Sequence, residues 1–166
     1  MTDYTKTSEL KAVQPIRKLK WEKFNETGIK ILDLQHELIY FNAIQILNSY
    51  DNADKKELGN AFLSLQKSLL SHLFFEENIM LEYEYPDFEK HRKIHNMFRE
   101  KFKILKAQYT ITALSKEFLE GLDNLMQVFI LYEMREADLQ LVVFLKKTQT
   151  FNKKLARFLK KIVVDN

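Results

Sequence analysis

Apolar residues recur along this chain in steps of three and four, in four separate blocks. The first block carries Ile29, Leu32, His36, Ile39, Ala43, Ile46 and Tyr50. The second carries Leu58, Phe62, Leu65, Leu69, His72, Glu76, Ile79 and Tyr83, and the third Phe88, His91, His95, Phe98, Phe102, Leu105 and Tyr109. The fourth runs through Leu114, Phe118, Leu122, Leu125, Phe129 and Glu133 and then Asp138, Leu141 and Leu145. This period marks a helix with one face turned to a core. Asp51-Asn52 reads as a turn and Asp54 as a cap for the second helix. Pro86 disfavours a helical conformation at Tyr85, and Asp87 is a good N-cap for the third helix, so Tyr85-Pro86-Asp87 separates the two. Four helices joined by short connections predict an all-α protein, an up-down-up-down four-helix bundle. No segment alternates in the way a strand would.

Composition narrows this picture. A chain of 166 residues fits one domain, and only 3 Gly and 2 Pro leave room for long helices. The 13 Phe and 7 Tyr would fill wide spaces between them. Residues 1–20 have no strong period and read as an N-terminal arm leading to Trp21, which would pack over the bundle end. The bundle is expected over 21–147, followed at 148–166 by an extra C-terminal helix, basic and amphipathic, with the stripe Phe151, Leu155, Phe158 and Ile162. From Leu139 onward seven Lys or Arg stand against one Asp, so the basic charge belongs to the tail. Such a tail suits a membrane surface, an acidic partner or nucleic acid. The expectation adopted here is a helix that packs back on the bundle with a solvated lysine face, without a nucleic-acid partner. The absence of Cys excludes disulfides, thiolate metal sites and cysteine nucleophiles. Met1 to Leu10 has no apolar signal region, and the uncharged run Leu139 to Leu145 is too short to span a bilayer, so a cytoplasmic and monomeric protein is expected.

Polar residues interrupt the stripes. All four histidines of the chain, His36, His72, His91 and His95, fall at inward positions. A single inward histidine is ordinarily a satisfied core residue. Four of four, with Glu76 one turn after His72 and with Glu133 and Asp138 in the last helix, call for one shared explanation, because buried charge is costly unless paired or bound to metal. His72 with Glu76, and His91 with His95, are pairs four residues apart and so stand one above the other on a helix face. Imidazole plus carboxylate suits iron, manganese or zinc, and seven donors are too many for one tetrahedral zinc. Two metal ions are the simpler reading. The Glu-x-x-His pairs of ferritin-like bundles are absent, as is the zinc-protease pattern His-Glu-x-x-His.

The same residues resemble the hemerythrin family in its bacterial form. The resemblance rests on Trp21, Gly28-Ile29 and Asp33-Leu34-Gln35-His36, then on His72-Leu73-Phe74-Phe75-Glu76-Glu77-Asn78-Ile79-Met80, Tyr85-Pro86, and His91 to His95. It covers roughly residues 21–145. It implies that His36 and His72 hold one iron, that His91 and His95 hold the other, and that Glu76 and Asp138 bridge them beside an oxo or hydroxo group. It also implies that one iron keeps an open position where dioxygen binds reversibly. One position departs from the family, which has a fifth ligand histidine five residues before the last Asp. Here that residue is Glu133. In a regular α-helix five residues turn a side chain by about 140 degrees, so Glu133 and Asp138 can both face inward only if the helix is locally π-distorted. Glu136 is a weaker substitute ligand. The resemblance implies oxygen storage, delivery or sensing as the expected function, whereas the harder, anionic ligand at Glu133 favours the ferric state and points to an alternative. The alternative is an oxidase, a peroxidase or a nitric-oxide-reducing enzyme.

Overall fold

The computed structural model describes residues 26–48, 55–112 and 115–148. Among them the chain forms α1 (Lys30–Asn48), α2 (Lys55–Glu82), α3 (Phe88–Thr112), α4 (Lys116–Val128), a π-helical segment (Phe129–Ala137) and α5 (Asp138–Lys147), with no strand. The last three form one continuous rod, because Val128 and Asp138 at its joins keep right-handed helical dihedrals. The protein is therefore an all-α bundle of four rods. Neighbouring rods run in opposite directions. Gln35 meets His72 while Asn42 meets Ser68, and Glu77 meets His95 while Phe62 stacks on Phe102. Likewise His95 meets Glu133 while Tyr109 meets Phe118. The arm, Trp21, the Asp51-Asn52 turn, Asp54 and the C-terminal helix lie outside the described residues.

Local chemistry explains where the rods begin and end. Asp33 ties down the start of α1: its Oδ1 accepts from the Thr27 backbone N–H at 2.6 Å and the Thr27 hydroxyl at 2.8 Å, and its Oδ2 accepts from the Gly28 N–H at 3.1 Å. The turn needs Gly28 at φ 77°, where a Cβ would stand 3.0 Å from Lys146 Nζ. That ammonium donates to the Thr27 carbonyl at 2.9 Å and so ties the start of α1 to the end of α5. Asp87 immediately precedes α3, and its carbonyl accepts from the His91 N–H at 3.0 Å. Ser115 caps α4 through its hydroxyl, which accepts from the Phe118 N–H.

Helix α2 ends in a Schellman motif, in which the Tyr85 N–H reaches the Met80 carbonyl at 2.8 Å and the Glu84 N–H the Leu81 carbonyl at 3.2 Å. The left-handed position of that motif is occupied by Glu84, at φ 53°, where glycine is the usual residue. Glu84→Gly is expected to stabilise the fold by about 1 kcal/mol. That would raise the thermal midpoint by about 2–4 °C in a chain of this size. An unchanged or lower midpoint in a circular-dichroism melt would show that the Glu84 side chain compensates for its backbone.

The interior forms two apolar clusters. One gathers Phe62, Leu65, Leu69, Phe98, Phe102, Phe118 and Phe129. The other gathers Leu32, Phe75, Ile79, Met80, Tyr83, Tyr85 and Leu141. A layer of polar side chains lies between them. Phe75 is buried in the second cluster, whereas Phe74 is 65% exposed because adjacent residues on a helix point about 100 degrees apart.

Candidate metal centre

Each rod brings its polar residues to the middle of the bundle. His36 comes from α1, His72 and Glu76 from α2, His91 and His95 from α3, Glu133 from the π-helical segment and Asp138 from the first turn of α5. All seven are buried. Glu136 is exposed and takes no part, and Tyr132 is only half-buried.

The π-helical segment explains how the fourth rod contributes two donors. The Asp138 N–H bonds to the Glu133 carbonyl, an i to i−5 hydrogen bond. With the wider turn, residues five apart stand on one face, and both carboxylates point inward. The distortion expected from the spacing is present where it is needed.

The donor atoms fall into two groups. His36, His72, Glu76 and Asp138 form one, and Glu76, His91, His95 and Glu133 the other; within each, one ligand atom per residue lies within 4.8 Å of all the rest. Glu76 belongs to both. Asp138 faces both ways, with Oδ2 at 2.9 Å from His36 Nε2 and Oδ1 at 3.3 Å from His91 Nε2. Glu133 stands on the second side, 2.7 Å from His95 Nε2 and 3.5 Å from His91 Nε2.

These short approaches are not hydrogen bonds. Twelve buried side-chain nitrogen and oxygen atoms among the described residues have no hydrogen-bond partner, and every one belongs to these seven residues. Lone pairs that converge on common points, instead of pairing with one another, fit cation binding. Ligands about 2.1 Å from one ion stand about 3.0 Å apart when adjacent and about 4.2 Å when opposite, in an octahedral arrangement. The N···O separations here run from 2.7 to 3.9 Å, around the distance expected of adjacent ligands.

Without a cation, the carboxylates must be balanced by protons. Burial disfavours the charged imidazole of His36, but Asp138 outweighs burial and raises its pKa. Burial likewise opposes protonation of His91 and His95, yet the surrounding carboxylates raise both, His95 to about 11. His72 is lowered by burial and by His36 beside it. Burial and the neighbouring Asp138 push Glu76 up, but the imidazoles of His72, His91 and His95 prevail and lower it. Asp138 is held well below its ordinary value by His36 and His91, against the cost of burial.

Two imidazoles are oriented from behind. His72 Nδ1–H donates to Gln35 Oε1 at 3.3 Å, and His95 Nδ1–H donates to Glu77 Oε1 at 2.9 Å. Each bond turns Nε2 toward the centre and leaves its lone pair free. The sequence reading assigned no role to Gln35 or Glu77. The available signal was their place beside His36 and Glu76 within the quoted motifs. The centre is closed by Phe129, edge-on to both His36 and His72. On the side of His91, a cavity of about 10 Å³ lies against Tyr85, Ile94, Glu136 and Gln140, with room for about one water-sized molecule.

The comparisons with known proteins agree in kind. The chain is similar to the bacteriohemerythrin of Pseudomonas aeruginosa, at 31% identity over 84 residues, which is 48% of this chain and 52% of that protein. It is similar to the bacteriohemerythrin of Pseudomonas paraeruginosa over the same share, also at 31% identity. The chain thus spans about half the length of the curated relatives it matches. No family model matches the chain. No solved structure matches it. The resemblance to the hemerythrin family stands on this similarity and on the buried His, Glu and Asp groups.

Proposed function

We propose that this chain is a hemerythrin-like protein that holds two iron ions and binds dioxygen, for storage, delivery or sensing. Seven buried residues from four rods, whose ligand atoms gather into two groups without hydrogen-bond partners among the described residues, carry the reading. His36 and His72 would hold one ion, His91, His95 and Glu133 the other, and Glu76 and Asp138 would join them. When bound, the two irons supply electrons to a small oxidising ligand. The chain's own residues do the rest. Apolar clusters on both sides of the polar layer exclude water. Gln35 and Glu77 fix two imidazoles. The cavity of about 10 Å³ beside His91 has room for one molecule of about the size of water. Among the described residues no helix is long and apolar enough to cross a membrane.

The test is optical. The protein is loaded with ferrous iron without air, oxygen is admitted and then swept out, and the visible spectrum is followed. A charge-transfer band that appears and then vanishes supports oxygen binding. Failure to take up iron overturns the metal assignment. An immediate and lasting ferric spectrum overturns reversible binding and directs attention to peroxide and nitric oxide. Glu133→His, which exchanges an anionic ligand for a neutral one, is expected to oxidise about tenfold more slowly in air, equivalent to about 1.4 kcal/mol in the barrier. An oxidation rate equal to or above the parent's would remove Glu133 from the ligand set or from control of oxidation.

A further inference from the structure

The two halves of the centre are supported unequally. Behind His72 stands a neutral amide, Gln35, at 3.3 Å. Behind His95 stands a carboxylate, Glu77, at 2.9 Å. The same Glu77 oxygen accepts from Arg99 Nη1 at 2.8 Å, and Arg99 is in turn fixed by Asn96 Oδ1 at 3.0 Å. The Nδ1 atoms of His36 and His91 have no hydrogen-bond partner among the described residues. Of the four imidazoles, only His95 leans on a charged acceptor, and it lies in the half that also contains Glu133.

We infer that Glu77, held in place by Arg99, is a positioning residue that makes the His91–His95–Glu133 half of the centre the more electron-rich, so that this half is oxidised first and reduced last. The inference rests on the di-iron reading above. An imidazole whose N–H is shared with a carboxylate donates more strongly through its other nitrogen. Electron donation to a metal stabilises its higher oxidation state. The Glu77 carboxylate lies between two N–H donors, His95 Nδ1 at 2.9 Å and Arg99 Nη1 at 2.8 Å, an arrangement that suits the anion. The Arg99 guanidinium does not cancel this effect, because it is 29% exposed and partly screened by solvent, whereas the Glu77–His95 bond ends on a fully buried imidazole. The redox step is one electron. It passes from a ferrous ion in this half to an outer-sphere mediator dye, leaving a ferric ion. No bond to the protein is made or broken, and the proton remains between Nδ1 and Glu77.

Glu77→Gln tests this directly. The amide oxygen can still accept from His95, so packing and orientation are kept while the charge is lost. Iron is first counted per chain. A parent that fails to reach two overturns the di-iron reading and the inference with it. With two bound in parent and variant, a mediated potentiometric titration followed by electron paramagnetic resonance reads the first oxidation step. The expected result is a tenfold shift toward the ferrous form, about 59 mV higher for a one-electron couple. Gln35→Glu, which places a charge behind His72, is expected to narrow the gap between the two steps by lowering the second. Should Glu77→Gln bind less iron, Glu77→Asp keeps the charge and must titrate like the parent. An unshifted first step in Glu77→Gln at full iron content would overturn the inference. So would a Glu77→Asp protein shifted in the same way.

Discussion

Stripping the metal is expected to lower the thermal midpoint by roughly 15–30 °C relative to the ferrous-loaded, air-free protein. Two ions, each free at about a thousand times its Kd, contribute about 4 kcal/mol apiece. A chain of this size shifts by about 2–4 °C per kcal/mol. The pH dependence of the two forms should also have opposite signs. In the metal-free protein His36, His91 and His95 have raised pKa values, so their contribution is complete below the unfolded value of 6.5 and is lost as pH rises toward the folded values, about 11 for His95. Glu76 and Asp138 have lowered values, so their contribution is complete above the unfolded 4.5 and 3.8 and is lost as pH falls. Metal-free protein should therefore be most stable between about pH 4.5 and 6.5 and weaken above. The loaded protein should gain stability over that upper range, because protons compete with the ions for the same imidazole nitrogens. Calorimetry at several pH values measures both. Midpoints within about 2 °C of each other, or parallel pH slopes, would mean that the donors are balanced by protons alone.

The second large effect concerns Glu76, which both donor groups share. Glu76→Leu is expected to lose both ions and with them about 8 kcal/mol of stabilisation. In metal-free protein the same substitution should keep its sign with a smaller size. It removes one partner of a buried ion cluster in which, against the cost of burial, the imidazoles of His72, His91 and His95 hold the Glu76 carboxyl as the anion. Breaking a buried pair from one side in this way costs about 3–5 kcal/mol. Iron content by elemental analysis and urea unfolding with and without metal provide the measurement. Retention of both ions by the variant would exclude Glu76 as a shared ligand. Unchanged or higher stability of the metal-free variant would mean that Glu76 is not paired with charged imidazoles in the absence of metal.

Much of this was present in the order of residues. The four stripes gave the rods because helical period is a local property: each residue's face depends only on its distance from its neighbours along one helix. The inward placement of His36, His72, Glu76, His91 and His95 followed from that period. The π-helical turn followed too, since five residues between Glu133 and Asp138 cannot share a face of an ordinary helix. The exposure of Phe74 has a related reason. The stripe Leu65, Leu69, His72, Glu76, Ile79 leaves Phe74 outside it, and Phe74 is exposed while its neighbour Phe75 is buried.

Relations between rods were not legible. The division of the donors into two groups, the two-sided placement of Asp138, and the partners Gln35 for His72 and Glu77 for His95 depend on meetings between rods, from 18 positions apart for Glu77 and His95 to 102 for His36 and Asp138. These depend on how far each helix is rotated and slid against the next. Small changes in either move a carboxylate oxygen in or out of reach while leaving the hydrophobic stripe intact. The sequence by itself determined which side chains turn inward. Only the tertiary structure decided which of them meet, because helical period constrains each rod separately and packing alone sets the distances between rods.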